Sequence, residues 1–548
     1  MCITYNSYII NIYIQRYLYV INIYIQCYLY LINIYIQCYI HAIKIYIKVK
    51  IVKRNIEDNL YKWKENPRRK PIILRGARQV GKTYIIRELG KTFENFVEIN
   101  FEKTPNATTI FESDFDIKRI IRDLSILSKT QIQEKKTLLF LDEIQIAPKA
   151  ISAIRYFYED MPNLHVIAAG SLIDFELENI SVPVGRVSYL TLYPLSFLEF
   201  LRETESPVLV DTLNSINFSQ NHSPIINHDR LLSKLSEYLA IGGMPDVVKT
   251  WVETSDLGSC RKIQLNIVNS YKDDFKKYAK HFQLNYIENV FDSIPQLLGQ
   301  KVKYSNISEV YKARELAPCL DLLVKAGVIH KVFQSSSQTP PLGAKINKEQ
   351  FKAIFLDIGL AQAILGLEIG DWILNPKLSI ENKGDITEAF VGQEILAYAN
   401  PEEKKQLYYW HRDKGSSKAE IDYVIQRGEE LIPIEVKGGK TGSRKSLISY
   451  IKNIERSARG VYFSQKQYER KPLYSMLPIY LVNQLFQKDS LNKHYEDLQF
   501  KPGDTIKSSE INKIFELANT TAKLFKMEET IPIQVQSKKS ISPELFNT

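Results

Sequence analysis

Pro71-Ile-Ile-Leu-Arg-Gly76-Ala-Arg-Gln-Val-Gly81-Lys82-Thr83 is the stretch on which the reading of the fold turns. Pro71–Arg75 is a short apolar run of the kind that makes a buried strand, and Tyr84–Gly90 beyond it reads as a helix. Between them Gly76, Ala77, Arg78, Gln79, Val80, Gly81, Lys82 and Thr83 fit GxxxxGK[ST], the spacing of a phosphate-binding loop set between strand and helix. Gly76 and Gly81 free the backbone to turn successive N–H groups toward one anionic centre. The helix N-terminus adds its partial positive charge at the same point. Lys82 is then expected to reach the β- and γ-phosphates of ATP, and the Thr83 hydroxyl to ligate Mg²⁺.

Thr137-Leu-Leu-Phe-Leu-Asp142-Glu143 is a second apolar strand, ending in two acids. Asp142 is expected to hold Mg²⁺ through water and Glu143 to polarise the attacking water. Taken alone, such a pair is equally an acidic turn after a core strand; its place downstream of the loop favours the catalytic reading. His165–Ala169 reads as another strand, followed by Gly170-Ser171. Arg186 precedes the apolar run Val187–Leu192. It fits either an arginine finger, serving its own or a neighbouring subunit, or a surface arginine in an ion pair.

Gly76–Thr83, Phe140-Leu-Asp-Glu-Ile-Gln145, Ala169-Gly-Ser-Leu172, Pro194-Leu-Ser-Phe-Leu-Glu-Phe200 and Gly242-Gly-Met-Pro245, in that order, resemble a prokaryotic AAA+ P-loop ATPase family. Its members join the ATPase to a C-terminal region similar to PD-(D/E)XK nucleases. The resemblance covers roughly residues 50–480. It implies ATP binding and hydrolysis, and assemblies in which subunits share sites, so a homo-oligomer is a candidate state. It also implies that a polar residue at the strand end senses the γ-phosphate, here Ser171; a helix-capping serine is the plainer alternative. The family often has Gly-Ser-Ser where this chain has Gly-Ser-Leu.

Further along, Leu231–Ala240 has helical spacing and suits a small lid after the ATPase core. Ile307–Ala313, a break, Pro318–Lys325 and then Gly327–Phe333 read as helix, turn, helix and β-wing, a winged-helix-like connector. Its second helix is mostly apolar, which fits packing as well as it fits DNA contact.

Ala419–Gln426 alternates as a strand, and Leu431–Lys437 as the strand returning from a turn. A strand points Glu435 and Lys437 to one face, where Asp422 of the neighbouring strand completes an oxygen-lined Mg²⁺ site. Asp-x12-Glu-x-Lys is similar to the PD-(D/E)XK core, although acid–x–Lys on a strand is also an ordinary ion pair. Upstream, Glu388 and Glu394 lie six residues apart on one helix, about 120° around it, so at most one of them is expected to face the metal. Glu388 is preferred, because Gly384-x-x-x-Glu388 resembles a resolvase motif. The basic run Lys437–Lys445 suits phosphate contact or a solvated loop.

The chain of 548 residues exceeds one hydrophobic core and carries a formal charge of +10. Arg16, Lys44, Lys48 and Lys50 supply +4 of that before residue 51, where no acid occurs, so the charge is a weak argument for nucleic acid. Cys260 and Cys319 stand alone, without zinc or disulfide spacing, which fits a reducing cytoplasm. Ile-Asn-Ile-Tyr-Ile-Gln recurs from Ile10, Ile21 and Ile32 with a period of 11. That segment fits a membrane anchor, a β-prone tail, or a translated repeat ahead of the true start.

The expected fold is therefore α/β throughout. A low-complexity repeat (1–48) precedes an AAA+ core with a parallel sheet (49–205), a helical lid and linker (206–260) and a winged-helix-like region (261–345). An α/β restriction-endonuclease-like domain (346–485) and a polar tail (486–548) follow. Two functions fit. One is an ATPase, using Mg²⁺, that controls a DNA-acting nuclease-like domain. The other is a nucleotide-switched protein-interaction or signalling module whose C-terminal domain is inactive.

Overall fold

Thr137-Leu-Leu-Phe-Leu-Asp142 is buried at every position, a pattern only a strand covered on both faces can satisfy. The computed structural model describes residue 32 and residues 53–176, 185–214, 216, 222–223, 225–412, 419–439, 444–454 and 459–486. There, five parallel strands form one sheet in the order β2-β3-β4-β1-β5. They are β1 (Ile72–Arg75), β2 (Asn95–Asn100), β3 (Thr137–Asp142), β4 (His165–Ala169) and β5 (Ser188–Thr191). Ile73, Val97, Ile99, Leu139, Leu141, Val166 and Ala168 form one core with residues of two helices, Ile117–Ser128 and Pro148–Asp160. The helix after β1, α1 (Lys82–Gly90), packs against β3 and β4.

Beyond the short α2 (Phe197–Thr204) and the helix Pro207–Asn214 come α3 (His228–Ile241), α4 (Pro245–Thr254) and α5 (Leu257–Tyr278). α3 replaces the expected Leu231–Ala240 with a slightly longer span.

The connector differs in detail from its sequence reading. No helix runs from Ile307 to Ala313. A short helix ends at Ile307, and α6 begins at Ala313 and ends at Lys325, with Pro318 inside it. The cause is Ser308, whose extended backbone stops the first helix while its hydroxyl accepts the N–H groups of Val310 and Tyr311, both at 3.2 Å. The expected wing is β7 (Ile329–Ser335), which forms an antiparallel hairpin with β8 (Ile346–Phe355). It is no free-standing wing, because β7 also pairs in parallel with β9 (Leu407–Arg412). The expected division at residues 345–346 falls between the two strands of this hairpin.

The hairpin is thus one edge of a nine-stranded mixed sheet, β6-β13-β14-β12-β11-β10-β9-β7-β8. Its other strands are β6 (His222–Ser223), β10 (Ala419–Arg427), β11 (Glu430–Val436), β12 (Gly460–Ser464), β13 (Tyr468–Arg470) and β14 (Tyr474–Pro478). A helix, Lys445–Asn453, covers a core of Trp410, Ile421, Val424, Leu431, Tyr462 and Met476. Across the strands α7 (Gly384–Tyr398) packs on β8 and β11. Among the described residues no helix is long and apolar enough to cross a membrane. The anchor reading of the N-terminal repeat and the reading of the polar tail lie outside the described residues, Ile32 excepted.

Glu394 ties α7 to the first sheet's domain. It is 1% exposed and accepts the Phe197 N–H of α2 at 3.0 and 3.1 Å. Nearby, Asp357 accepts the Gly243 N–H at 2.6 Å. Burial pushes the Glu394 carboxyl up to about 8. A carboxyl raised above its ordinary range contributes stability that is complete below about pH 4.5 and is lost as pH rises through about 8. Glu394→Gln, neutral at every pH, is therefore expected to flatten the decline of Tm between pH 5 and pH 8. Thermal unfolding at unit pH steps measures this; parallel declines in variant and wild type would remove the buried carboxyl as a cause.

Candidate functional site

A loop that aims N–H groups inward needs backbone angles that side chains resist, and this one has them. Gly76 has φ +142° and Gly81 φ +98°, and a Cβ at Gly76 would collide with the Leu192 carbonyl. Lys82, at the start of α1, is 7% exposed and donates to the Gly76 and Ala77 carbonyls at 2.9 and 2.8 Å. Burial pulls its ammonium down to about 8, against the opposing pull of Glu143 and Asp142. A buried ammonium whose partners are loop carbonyls is a strong attractor for an anion.

Strand register brings the acids to this loop. Leu74 aligns with Ala169, and Ala169 with Asp142, so the ends of β1, β4 and β3 are level. Thr83 Oγ1 donates to Asp142 Oδ2 at 3.1 Å, and Asn100 Nδ2 donates to the same oxygen at 2.9 Å. The Thr83 hydroxyl and the Asp142 carboxylate are hard oxygen donors of the kind Mg²⁺ takes. Burial, and then the charge of Glu143, raise the Asp142 carboxyl. Glu143 follows with φ +52°, and Gln145 Nε2 donates to its Oε2 at 2.6 Å.

Residues distant in sequence grip the loop from outside. Arg54 donates to the Val80 carbonyl at 3.0 Å and to the Tyr193 carbonyl at 2.7 Å, and pairs with the buried Glu199 at 3.0 Å. Arg78 forms an ion pair with Asp274 of α5, and Tyr271 of the same helix donates to the Arg78 carbonyl at 2.6 Å. The turn after α6 also reaches the loop, since a Cβ at Gly327 would lie 3.5 Å from Ala77 N. Sequence reasoning found neither Arg54 nor Asp274, and no local pattern marks them. Asn100 and Gln145 carried a signal, one closing a strand and the other two residues beyond Glu143.

Ser171 lines a cavity of about 380 Å³ together with Gly76, Ala77, Asp174, Gly327 and His330, so it stands beside the loop. Arg186 does not. Ser188 aligns with Ile72 and Thr191 with Arg75, so Arg186 lies where the strands enter the sheet and the loop lies where they leave. Its half-exposed guanidinium pairs with Glu159 at 3.1 Å.

In the second sheet Glu388, Asp422, Glu435 and Lys437 do converge. A register shift of β10 between Ile421 and Val424 carries Asp422, whose Oδ2 accepts the Val436 N–H at 2.7 Å. Lys437 Nζ lies 2.8 Å from Glu435 and 3.8 Å from Asp422. The sequence reading missed Lys352, a lysine inside the apolar run Phe351–Phe355. It is 3% exposed, and its Nζ sits 2.9 Å from Glu388, 2.6 Å from Glu420 and 3.9 Å from Asp422. Burial disfavours its charge, yet those acids raise its pKa well above the ordinary value. The three acids named for a metal are thus already shared between two ammonium groups, and Glu435 Oε2 is buried without a hydrogen bond. Among the described residues no group of three or more His, Cys, Asp or Glu is arranged to hold a metal ion. Glu394, the other helix acid, points away to α2 as described above.

One family model spans the residues of the first site. Residues 68–201 match the family model described as AAA domain. Residues 232–369 and 383–482 match two domains of unknown function, DUF8612 and DUF4143. An uncharacterized protein of Methanocaldococcus jannaschii is 24% identical over 426 residues, which is 72% of this chain and 81% of that protein. Among solved structures, a Walker-type ATPase of Pyrococcus abyssi is 15% identical, with 57% of this chain and 96% of that one covered and a TM-score of 0.38. A signal-transduction ATPase with numerous domains from Pyrococcus horikoshii is 13% identical over 62% of this chain and 47% of its own, with a TM-score of 0.21. The Drosophila ORC bound to DNA is 13% identical over 57% and 85%, with a TM-score of 0.23. Residues 68–201 thus carry an AAA-type P-loop ATPase domain.

Lys82→Ala is expected to weaken ATP binding about 10- to 100-fold, the effect of losing one charge-assisted hydrogen bond to phosphate at about 1.5–3 kcal/mol. Titration with a fluorescent ATP analogue measures it. Unchanged affinity would remove Gly76–Thr83 as the nucleotide site.

Proposed function

We propose that this chain is a Mg²⁺-dependent ATPase whose nucleotide state is read by the helices packed on its phosphate loop and passed to the C-terminal sheet. The observation that carries the proposal is the ion pair between Arg78, inside the loop, and Asp274 of α5. In this reading the N–H groups of Gly76–Thr83 and the Lys82 ammonium bind the β- and γ-phosphates. Thr83 and Asp142 would hold Mg²⁺, which supplies charge neutralisation at the phosphoryl group when bound. Glu143 orients water in line with the γ-phosphorus and takes its proton as the bridging P–O bond breaks to release ADP and phosphate. Ser171, beside Gly76 in the cavity wall, is suited to contact the γ-phosphate.

Loop occupancy then changes what Arg78 and Lys82 hold. α5 is tied to the loop through Tyr271 and Asp274, and Gly327 at the root of β7 lies against Ala77. Since β7 is a strand of the nine-stranded sheet, a shift of the loop has a short mechanical route to that sheet.

For the output, two readings compete, DNA cleavage at Glu388, Asp422, Glu435 and Lys437 or engagement of a partner without cleavage. Lys352 favours the second. Its ammonium, with that of Lys437, occupies the acids that a hydrolytic Mg²⁺ would need.

Glu143→Gln is expected to keep ATP bound while lowering turnover by about 10²- to 10⁴-fold, measured as phosphate release against nucleotide affinity. In hydrogen exchange, ATP is expected to alter protection in residues 257–333 of the wild type and not of Lys82→Ala. Identical exchange with and without ATP, in a protein that binds it, would sink the coupling. Mg²⁺- or Mn²⁺-dependent nicking lost in Asp422→Ala would restore the cleavage reading.

A further inference from the structure

Gln145 sits two residues beyond Glu143, in the short turn between β3 and the helix Pro148–Asp160. Its side chain does two things. Nε2 donates to Glu143 Oε2 at 2.6 Å, the shorter end of the range for a bond to a carboxylate. Oε1 is buried, has no hydrogen-bond partner, and lies against Gly170, where a Cβ would overlap it. Gly170 in turn precedes Ser171 in the wall of the cavity that also contains Gly76 and Ala77. One carboxamide therefore joins the acid at the end of β3 to the strand end of β4.

The geometry assigns Gln145 as the positioning residue for Glu143, holding its carboxylate for the attacking water, with Gly170 small so that the carboxamide fits. The assignment rests on the ATPase reading above. Its physical basis is the backbone of Glu143, whose φ of +52° is a conformation a side chain adopts only when its surroundings impose it. A glutamate on such a turn has three free side-chain torsions, and the bond from Gln145 removes that freedom before the substrate arrives. The buried, unpaired Oε1 is the second sign. An acceptor without a partner is costly, and it faces the strand end of β4, where the attacking water would supply a donor.

Three variants test it in the full-length protein, with ATP turnover and binding of a fluorescent ATP analogue measured side by side. Gln145→Ala is expected to lower kcat about 10-fold or more while affinity for the analogue stays within about twofold of wild type. Gly170→Ala, which displaces the carboxamide without touching it chemically, is expected to give the same division between kcat and affinity. The decisive arm is a cycle in which Gln145→Ala is added to Glu143→Ala. If Gln145 works through Glu143, the second change adds nothing to the first. Independent, multiplicative losses would overturn the assignment, as would a Gln145→Ala enzyme with wild-type kcat. Failure of the ATPase reading looks different: the wild type itself then turns over no ATP above the Lys82→Ala background. Circular dichroism at matched temperature separates a misfolded variant from a slow one, and Gly170→Ala keeps the inference open to refutation if Gln145→Ala does not fold.

Discussion

Everything around the first site follows from one electrostatic constraint, a buried ammonium held by the carbonyls of a glycine loop. Lys82 has left water and finds only the Gly76 and Ala77 carbonyls within reach. Those carbonyls belong to the loop whose N–H groups face the opposite requirement, a missing acceptor. A polyanion satisfies both at once. The positive φ of Gly76 and Gly81, the placement of Asp142 beside Thr83 and the turn at Glu143 can all be understood as arrangements around that centre.

The same loop is also a load point for the rest of the chain. An isolated phosphate loop needs no guanidinium on its outer face, yet Arg54 closes the loop from below and Arg78 reaches out to α5. Asp274 and Arg78 are partly buried, so their attraction is less screened than at a surface and is felt if either partner moves. Close to the Arg54–Glu199 pair, Glu394 and Asp357 fix backbone N–H groups of the first domain from elements of the second. The two sheets are thus joined by hydrogen bonds from buried carboxyls, contacts that are directional and do not slide as an apolar seam would.

The second sheet tells a different chemical story. Four acids and two lysines meet there, with Lys352 almost sealed from solvent. A lysine in that position costs heavily to bury and is held only by the acids around it. Its strand, β8, precedes α7 and β10 in the chain, so the cluster fastens the hairpin to the elements that follow it.

Local chemistry was legible from the sequence alone wherever the reacting groups are neighbours along the chain. Gly76 to Thr83 and Asp142-Glu143 declare themselves because a strand, a turn and a helix start are fixed by residues within a dozen positions, and the alternation of β10 and β11 likewise brought Asp422, Glu435 and Lys437 to one face. For Arg186 the sequence admits a finger and an ion pair alike, because its sign and neighbours are visible while the end of the sheet it occupies is not. What only the tertiary structure decided was the insertion of β4 between β1 and β3, and with it the contact of Gln145 with Gly170, the grip of Asp274 on Arg78 and the seat of Lys352 among the acids. The reason is physical: strand order and helix packing are set by burial summed over the whole domain, and no short window of sequence carries that sum.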